Sequence, residues 1–307
     1  MKKAYFYIDD TIWVLRDITR EKPASLFDNS FMKMLKTAHD KYGLKVQLNL
    51  FYRTDSFYGY DMFSLADVTD AYKAEFEANS DWLKLAFHAL EEFPDYPHIN
   101  ASYDDTKWLF ENIEKEVFRF AGKDSFSYAV CPHWLPMSKA AVKALKDCGV
   151  KLLDATRGDA KEYNGDPASL PYGHAARLLQ NRQPETKVFS RGSRDVAIDS
   201  SICGYNHLDV ATDTELNGNL KTVYDEEIGI HMKRYSYTTL NLTPYNEIEK
   251  DFAPLLGYDF VGITNHEQYF YADYLAYQPD YADKIMKMCE ILTSNGFEFI
   301  NGEDILG

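Results

Sequence analysis

Five times along the chain, a stretch with apolar residues every three or four positions runs into a glycine and then into a short β-branched or aromatic segment. The junctions are KYGLKVQLNLFY, FAGKDSFSYAV, DCGVKLLD, LLGYDFVGIT and SNGFEFI. A glycine just past a helix closes its last turn in the left-handed conformation, so each junction predicts a helix followed at once by a strand. The helical stripes are legible on their own. Phe31, Met34, Leu35, Ala38 and Tyr42 share one face, Leu109, Ile113, Val117 and Phe120 another, and Tyr281, Ile285, Met288 and Leu292 a third that stops before Gly296. Helices alternating with buried strands predict an α/β fold on a parallel sheet, either closed into a barrel or open and doubly wound.

From Thr156 to about Asp225 this rhythm gives way to Gly, Asp, Asn, Pro and Arg, as in TRGDAKEYNGDPASLPYG and NRQPETKVFSRGSRD. A structureless loop of that length is unusual in a compact domain. Residues 156–225 are therefore expected to form an irregular insertion or lid of short helices and hairpins, within a single domain covering 1–307.

Composition narrows the partners. The 307 residues carry a net charge of -15, which argues against nucleic acid or an anionic membrane surface as the main partner. Cys131, Cys148, Cys203 and Cys289 are widely spaced with no CxxC pair, so reduced, structural thiols are expected. The apolar run in MKKAYFYIDD is broken by Asp9 before it reaches the length of a signal-peptide core, and no run of about 18 apolar residues is present. A cytoplasmic protein is the resulting expectation.

Ligands of α/β sheets gather at the carboxyl ends of the strands, and the residues there are far from random. The first strand ends at Asp9 and Asp10, the next at Tyr52 and Arg53, and WLKLAFH at His88, followed by Glu91 and Glu92. FSYAV ends at Cys131, Pro132, His133 and Trp134, VKLLD at Asp154, and DFVGITNHE at His266 and Glu267, while IGIHM holds His231. Adjacent carboxylates repel unless a cation or a proton lies between them. Histidines and acids converging on one rim are what a divalent metal or an acid-base centre requires.

At these positions the chain resembles the polysaccharide deacetylases, metal-dependent carbohydrate esterases with a distorted (β/α)7 barrel. YIDD is similar to the Asp-Asp pair that opens them, FHALEE falls where they carry His-x-x-x-His, and GITNHEQYF resembles their last strand with its catalytic histidine. The likeness spans about 1–155 and 225–307 and implies a distorted TIM-like (β/α)7 barrel of parallel strands. It implies Asp9 as general base, His266 as general acid with Glu267 raising its pKa, and Asp10, His88 and Glu92 as ligands of a divalent metal. Zinc is the implied ion, with manganese or nickel as other choices for that donor set. Glu92 stands where the family has its second histidine, and His98 is the other candidate for the third ligand. CPHW replaces an arginine-containing motif. Arg53, His133, Trp134 and His231 are then candidate substrate contacts, with His133 supplying a hydrogen bond and Trp134 a face for a sugar ring.

The implied activity is removal of an N- or O-acetyl or related acyl group from a soluble saccharide. Two other readings stay open. One is a glycoside hydrolase with carboxylates such as Asp10 and Glu92 as its acid and base pair. The other is a saccharide-binding barrel without chemistry.

Overall fold

The computed structural model describes residues 2–54, 62–93, 96–157, 203–274 and 276–307. Most of the predicted insertion, residues 158–202, lies outside them. In chain order the strands are β1 (Lys2–Thr11), β2 (Val46–Phe51), β3 (Leu83–Ala89), β4 (Phe126–Ser127), β5 (Ala129–Val130), β6 (Leu152–Asp154), β7 (Thr156–Arg157), β8 (His207–Leu208), β9 (Val223–Asp225), β10 (Ile230–Lys233), β11 (Thr238–Thr239), β12 (Phe260–His266) and β13 (Phe297–Ile300).

Seven of them form a parallel sheet in the order β11-β12-β1-β2-β3-β4, with β13 added to β1. The free side of β1 is divided between two neighbours: Lys2–Tyr5 pairs with β13, and the half from Phe6 onward with β2. A second sheet runs β5-β6-β10-β9, with only β9 antiparallel, and β7 pairs with β8.

The predicted α/β class and parallel sheet are thus present, but the described residues do not close one continuous barrel ladder. The physical break is at Tyr128. β4 pairs with β3 and β5 with β6, so the chain crosses from one sheet to the other within five residues.

The helices form where the periodicity placed them. Ser30–Tyr42 starts at Asn29, whose side-chain oxygen accepts the N–H of Phe31 and Met32, and it ends at Gly43 with φ 68°. Ser102 and Ser138 cap Tyr103–Phe120 and Lys139–Asp147 in the same way. The stripe of Tyr103–Phe120 is buried at Leu109, Phe110, Ile113, Val117 and Phe120. Among the described residues no helix is long and apolar enough to cross a membrane, and all four cysteines are free thiols.

Both sheets face one interior. Along β1 the side chains alternate: Ala4, Phe6 and Ile8 join the layer under the helices, while Tyr5 and Tyr7 join Ala129, Cys131, Leu152, Tyr235, Phe260 and Ile300 in an inner cluster. Tyr235 meets Tyr5 and Tyr7 edge-on at 5.3 and 5.7 Å. Gly262 lets this happen, since a Cβ there would lie 1.6 Å from the Tyr235 carbonyl oxygen. The alternation also aims Asp9 inward, next in line after Tyr5 and Tyr7.

Candidate active site

Alternation alone would send Asp10 to the opposite face from Asp9. The backbone prevents that. Asp10 takes φ 61°, in the left-handed region unusual for a non-glycine residue, and the β1-β2 register shifts between Ile8 and Thr11. Both carboxylates therefore reach the same buried end of the sheet.

The turn is held from the far side of the molecule. Glu267, just past β12, accepts the backbone N–H of Ile12 at 2.7 Å, Trp13 at 2.9 Å and Val14 at 2.6 Å, and the Tyr271 hydroxyl at 3.1 Å. It serves as the missing cap of the helix Trp13–Glu21, whose own N-cap residue, Ile12, has no side chain able to do so. Glu267 thus has a structural partner set and makes no hydrogen bond to His266.

Three atoms face one another at the centre. Asp10 Oδ1 lies 3.1 Å from His88 Nε2 and 3.2 Å from His133 Nδ1, and the two ring nitrogens are 3.1 Å apart. The other nitrogen of each ring is committed: His88 Nδ1 donates to the Cys131 carbonyl at 2.6 Å, and His133 Nε2 donates to the Glu92 carbonyl at 3.0 Å. A carbonyl only accepts, so both outer nitrogens carry hydrogen. In the neutral rings the inner nitrogens then present lone pairs. Two lone pairs and a carboxylate oxygen meeting at about 3 Å repel unless a proton or a cation sits among them.

With a proton there, burial alone would lower His133, but the Asp10 carboxylate outweighs it and raises the imidazole pKa. Burial alone would raise Asp10, but His133 and His88 outweigh it and hold the carboxyl well below its usual range. With a cation there, the donor set is two imidazoles and a carboxylate, a combination that zinc accepts, and each ring is oriented by a backbone carbonyl as ligating histidines commonly are. Asp10, His88 and His133 fit a divalent ion. Asp9, His88 and Cys131 also converge, but His88 Nδ1 is spent on the Cys131 carbonyl, and burial pushes the Cys131 thiol well up.

Asp9 lies beside this centre. Its Oδ1 accepts the Asn49 amide at 2.7 Å and stands 3.8 Å from His88 Nδ1, and burial raises its pKa to about 7. Below it, Asp154 is held by the N–H groups of Ala155 and Tyr235, with Tyr7 and Cys131 beside it, and burial lifts it to about 7 as well.

The other expected residues scatter. His133, expected to touch substrate, is the third member of the tripod. Glu92, expected in that place, instead accepts from Gln268 Nε2 at 3.2 Å, while the same nitrogen donates to Asp10 Oδ2 at 2.7 Å. His98 is no ligand: its Nε2 donates to the His88 carbonyl at 2.8 Å, and burial lowers its pKa to about 3. Arg53 is clamped bidentately on Glu91 at 2.8 and 2.9 Å. Trp134 packs on Tyr96 with ring centres 5.1 Å apart, next to His133. His266 is half-buried at the same rim, opposite Asp9 in the ladder, and its Nδ1 donates to Asn241 Oδ1 at 3.0 Å.

His231 is elsewhere. It pairs with Leu152 at the amino end of β6 and lines a separate cavity of about 400 Å³ with Lys146, Lys151 and Leu306. Gln268 was not anticipated. Its signal in the sequence is its place, two residues past His266 in GITNHEQ, but an amide does not titrate and so is not marked by charge or metal-ligand chemistry.

No protein-family model matches the chain, and no curated protein matches it. Among solved structures the chain is similar to 4-alpha-glucanotransferase from Thermococcus litoralis, with a TM-score of 0.54 at 12% identity. The match covers all of this chain and 40% of that one, so the chain spans well under half the length of that enzyme. At this identity the likeness is one of fold. The resemblance to polysaccharide deacetylases is not upheld, because no model of that or any other family matches and the solved structure it resembles is a glucanotransferase.

Proposed function

We propose that the protein is a carbohydrate-acting enzyme that cleaves or transfers a glycosidic linkage, with Asp10 and Glu92 as its carboxylate pair. The observation that carries this reading is the Gln268 amide nitrogen, which donates at 2.7 Å to Asp10 and 3.2 Å to Glu92. The two oxygens it joins are no farther apart than those bonds laid end to end. These are the nearest oxygens of two carboxyl groups joined through one amide nitrogen, a closeness that favours a retaining over a water-admitting, inverting pair. Asp10, kept ionised by the imidazoles, suits the nucleophile or the stabiliser of positive charge on the sugar. Glu92 suits the proton donor to the leaving oxygen. The fold shared with a glucanotransferase supports the substrate class.

A second reading rests on a separate observation, the tripod of Asp10, His88 and His133. A divalent ion held there, zinc or else manganese or nickel, would acidify a water and polarise the saccharide bond under attack. Asp9 is then the proton acceptor beside it and His266 the proton donor across the rim.

Asp10 serves both readings but cannot do both jobs at once. The deciding experiment is turnover of α- and β-linked oligosaccharides before and after dialysis against a chelator, with the anomer of the released sugar followed by NMR. Activity that survives chelation and retains configuration supports the carboxylate pair. Activity lost on chelation and restored by one equivalent of zinc supports the second reading. No turnover of any oligosaccharide refutes the first.

A further inference from the structure

We infer that Gln268 is the positioning residue of this site, the group that aims Asp10 and fixes its separation from Glu92; this deepens the carboxylate-pair reading and rests on it. Gln268 is buried, at 4% exposure, in the turn just past β12. Its amide nitrogen is shared between Asp10 Oδ2 and Glu92 Oε2. The orientation is not arbitrary, since the reversed amide would set its oxygen against two carboxylates.

The other half of the amide makes the assignment functional. Gln268 Oε1 is also buried and has no hydrogen-bond partner among the described residues. A buried carbonyl without a partner is a net cost to folding. A side chain kept only for packing would do better as a methionine, which fills the same space without a polar oxygen. Keeping the amide makes sense if its donor is needed. One N–H on each carboxyl group holds the pair in place, whether or not Glu92 carries the proton it is to donate.

The backbone supports the same role. Glu267, immediately before, is bonded to the N–H groups of residues 12–14, so the turn that carries Gln268 is tied to the turn that carries Asp10. Asp10 is thereby held twice, through its backbone by Glu267 and through its carboxylate by Gln268. The two carboxylates come from segments far apart in the sequence, and the amide bridges them from a third.

The test is Gln268→Met in the full chain, read by steady-state kinetics on the oligosaccharide the wild type turns over, by melting temperature and by zinc titration. A positioning role predicts kcat down by about 100-fold and KM within about twofold, in protein that still melts cooperatively above the assay temperature. Unchanged kcat, or a loss confined to KM, overturns it. If the wild type turns over no oligosaccharide, the carboxylate-pair reading has failed, and the positioning of Asp10 is read from zinc affinity alone. There a loss of about 10-fold or more in Gln268→Met sustains the role. Equal affinity, or no zinc bound by either protein, overturns it.

Discussion

Removing Glu267 should loosen the site from its foundation. In Glu267→Ala, three backbone N–H groups at the start of the helix Trp13–Glu21 lose the carboxylate they share, and the Tyr271 hydroxyl loses an acceptor. Each buried donor left unpaired costs about 1–3 kcal/mol. Water entering the space left by the carboxylate will recover part of that, so a net loss of about 3–5 kcal/mol is expected, or a melting temperature lower by the order of 10 °C.

Glu267→Gln is the sharper control. One oxygen serves Ile12 and Trp13 and the other serves Val14, so an amide placed with its oxygen on the first pair sets an NH2 against the Val14 N–H. About 1–2 kcal/mol is then lost, because one bond rather than three fails. Thermal melts and urea titrations of the three proteins measure this directly. If Glu267→Ala costs under about 1 kcal/mol, or if Glu267→Gln costs as much as Glu267→Ala, Glu267 is not the helix cap and the account of how Asp10 is held fails with it.

Other expectations follow from single contacts. His133→Ala should weaken zinc binding by more than the roughly 10–100-fold that loss of an outer partner costs, whereas His98→Ala, which removes only a donor to the His88 carbonyl, should stay within that range; calorimetric titration orders the two. Glu92→Gln should lower oligosaccharide turnover by about 100-fold or more under the carboxylate-pair reading while leaving zinc affinity unchanged, which parallel kinetics and metal titrations would check.

Asp154 is lifted from 3.8 to about 7 by burial, so its protonated form is favoured in the folded state. Its contribution to stability is full below about pH 4 and is lost as the pH rises through about 7. The wild type should gain stability between about pH 8 and about pH 5.5 through this group, and Asp154→Asn should reduce that slope in melts across the range without abolishing it, since burial lifts Asp9 and Glu267 to about 7 as well. Gly262→Ala drives a Cβ into the Tyr235 backbone and should give protein that is insoluble or melts more than about 10 °C lower.

By itself the sequence determined the α/β class, the helix stripes, most junctions and which rim would carry the polar residues. These depend on local periodicity and on capping residues, which act within a few positions of each other. It marked Asp9, Asp10 and His88 as neighbours for the same reason: each follows a strand, and parallel strands bring their carboxyl ends together.

Only the tertiary structure decided the partners. His133 rather than Glu92 completes the tripod because the backbone past β5 brings the imidazole to 3.1 Å from His88, a distance that spacing along the chain does not encode. His231 lies away from the polar rim because it pairs with Leu152, the first residue of β6, while β10 runs on to Lys233 opposite Asp154. The crossing at Tyr128 splits the expected ladder in two, and the left-handed turn at Asp10 is held by a glutamate more than 250 residues away. Long-range pairing and side-chain direction settle such matters, and neither is written in any short stretch of the chain.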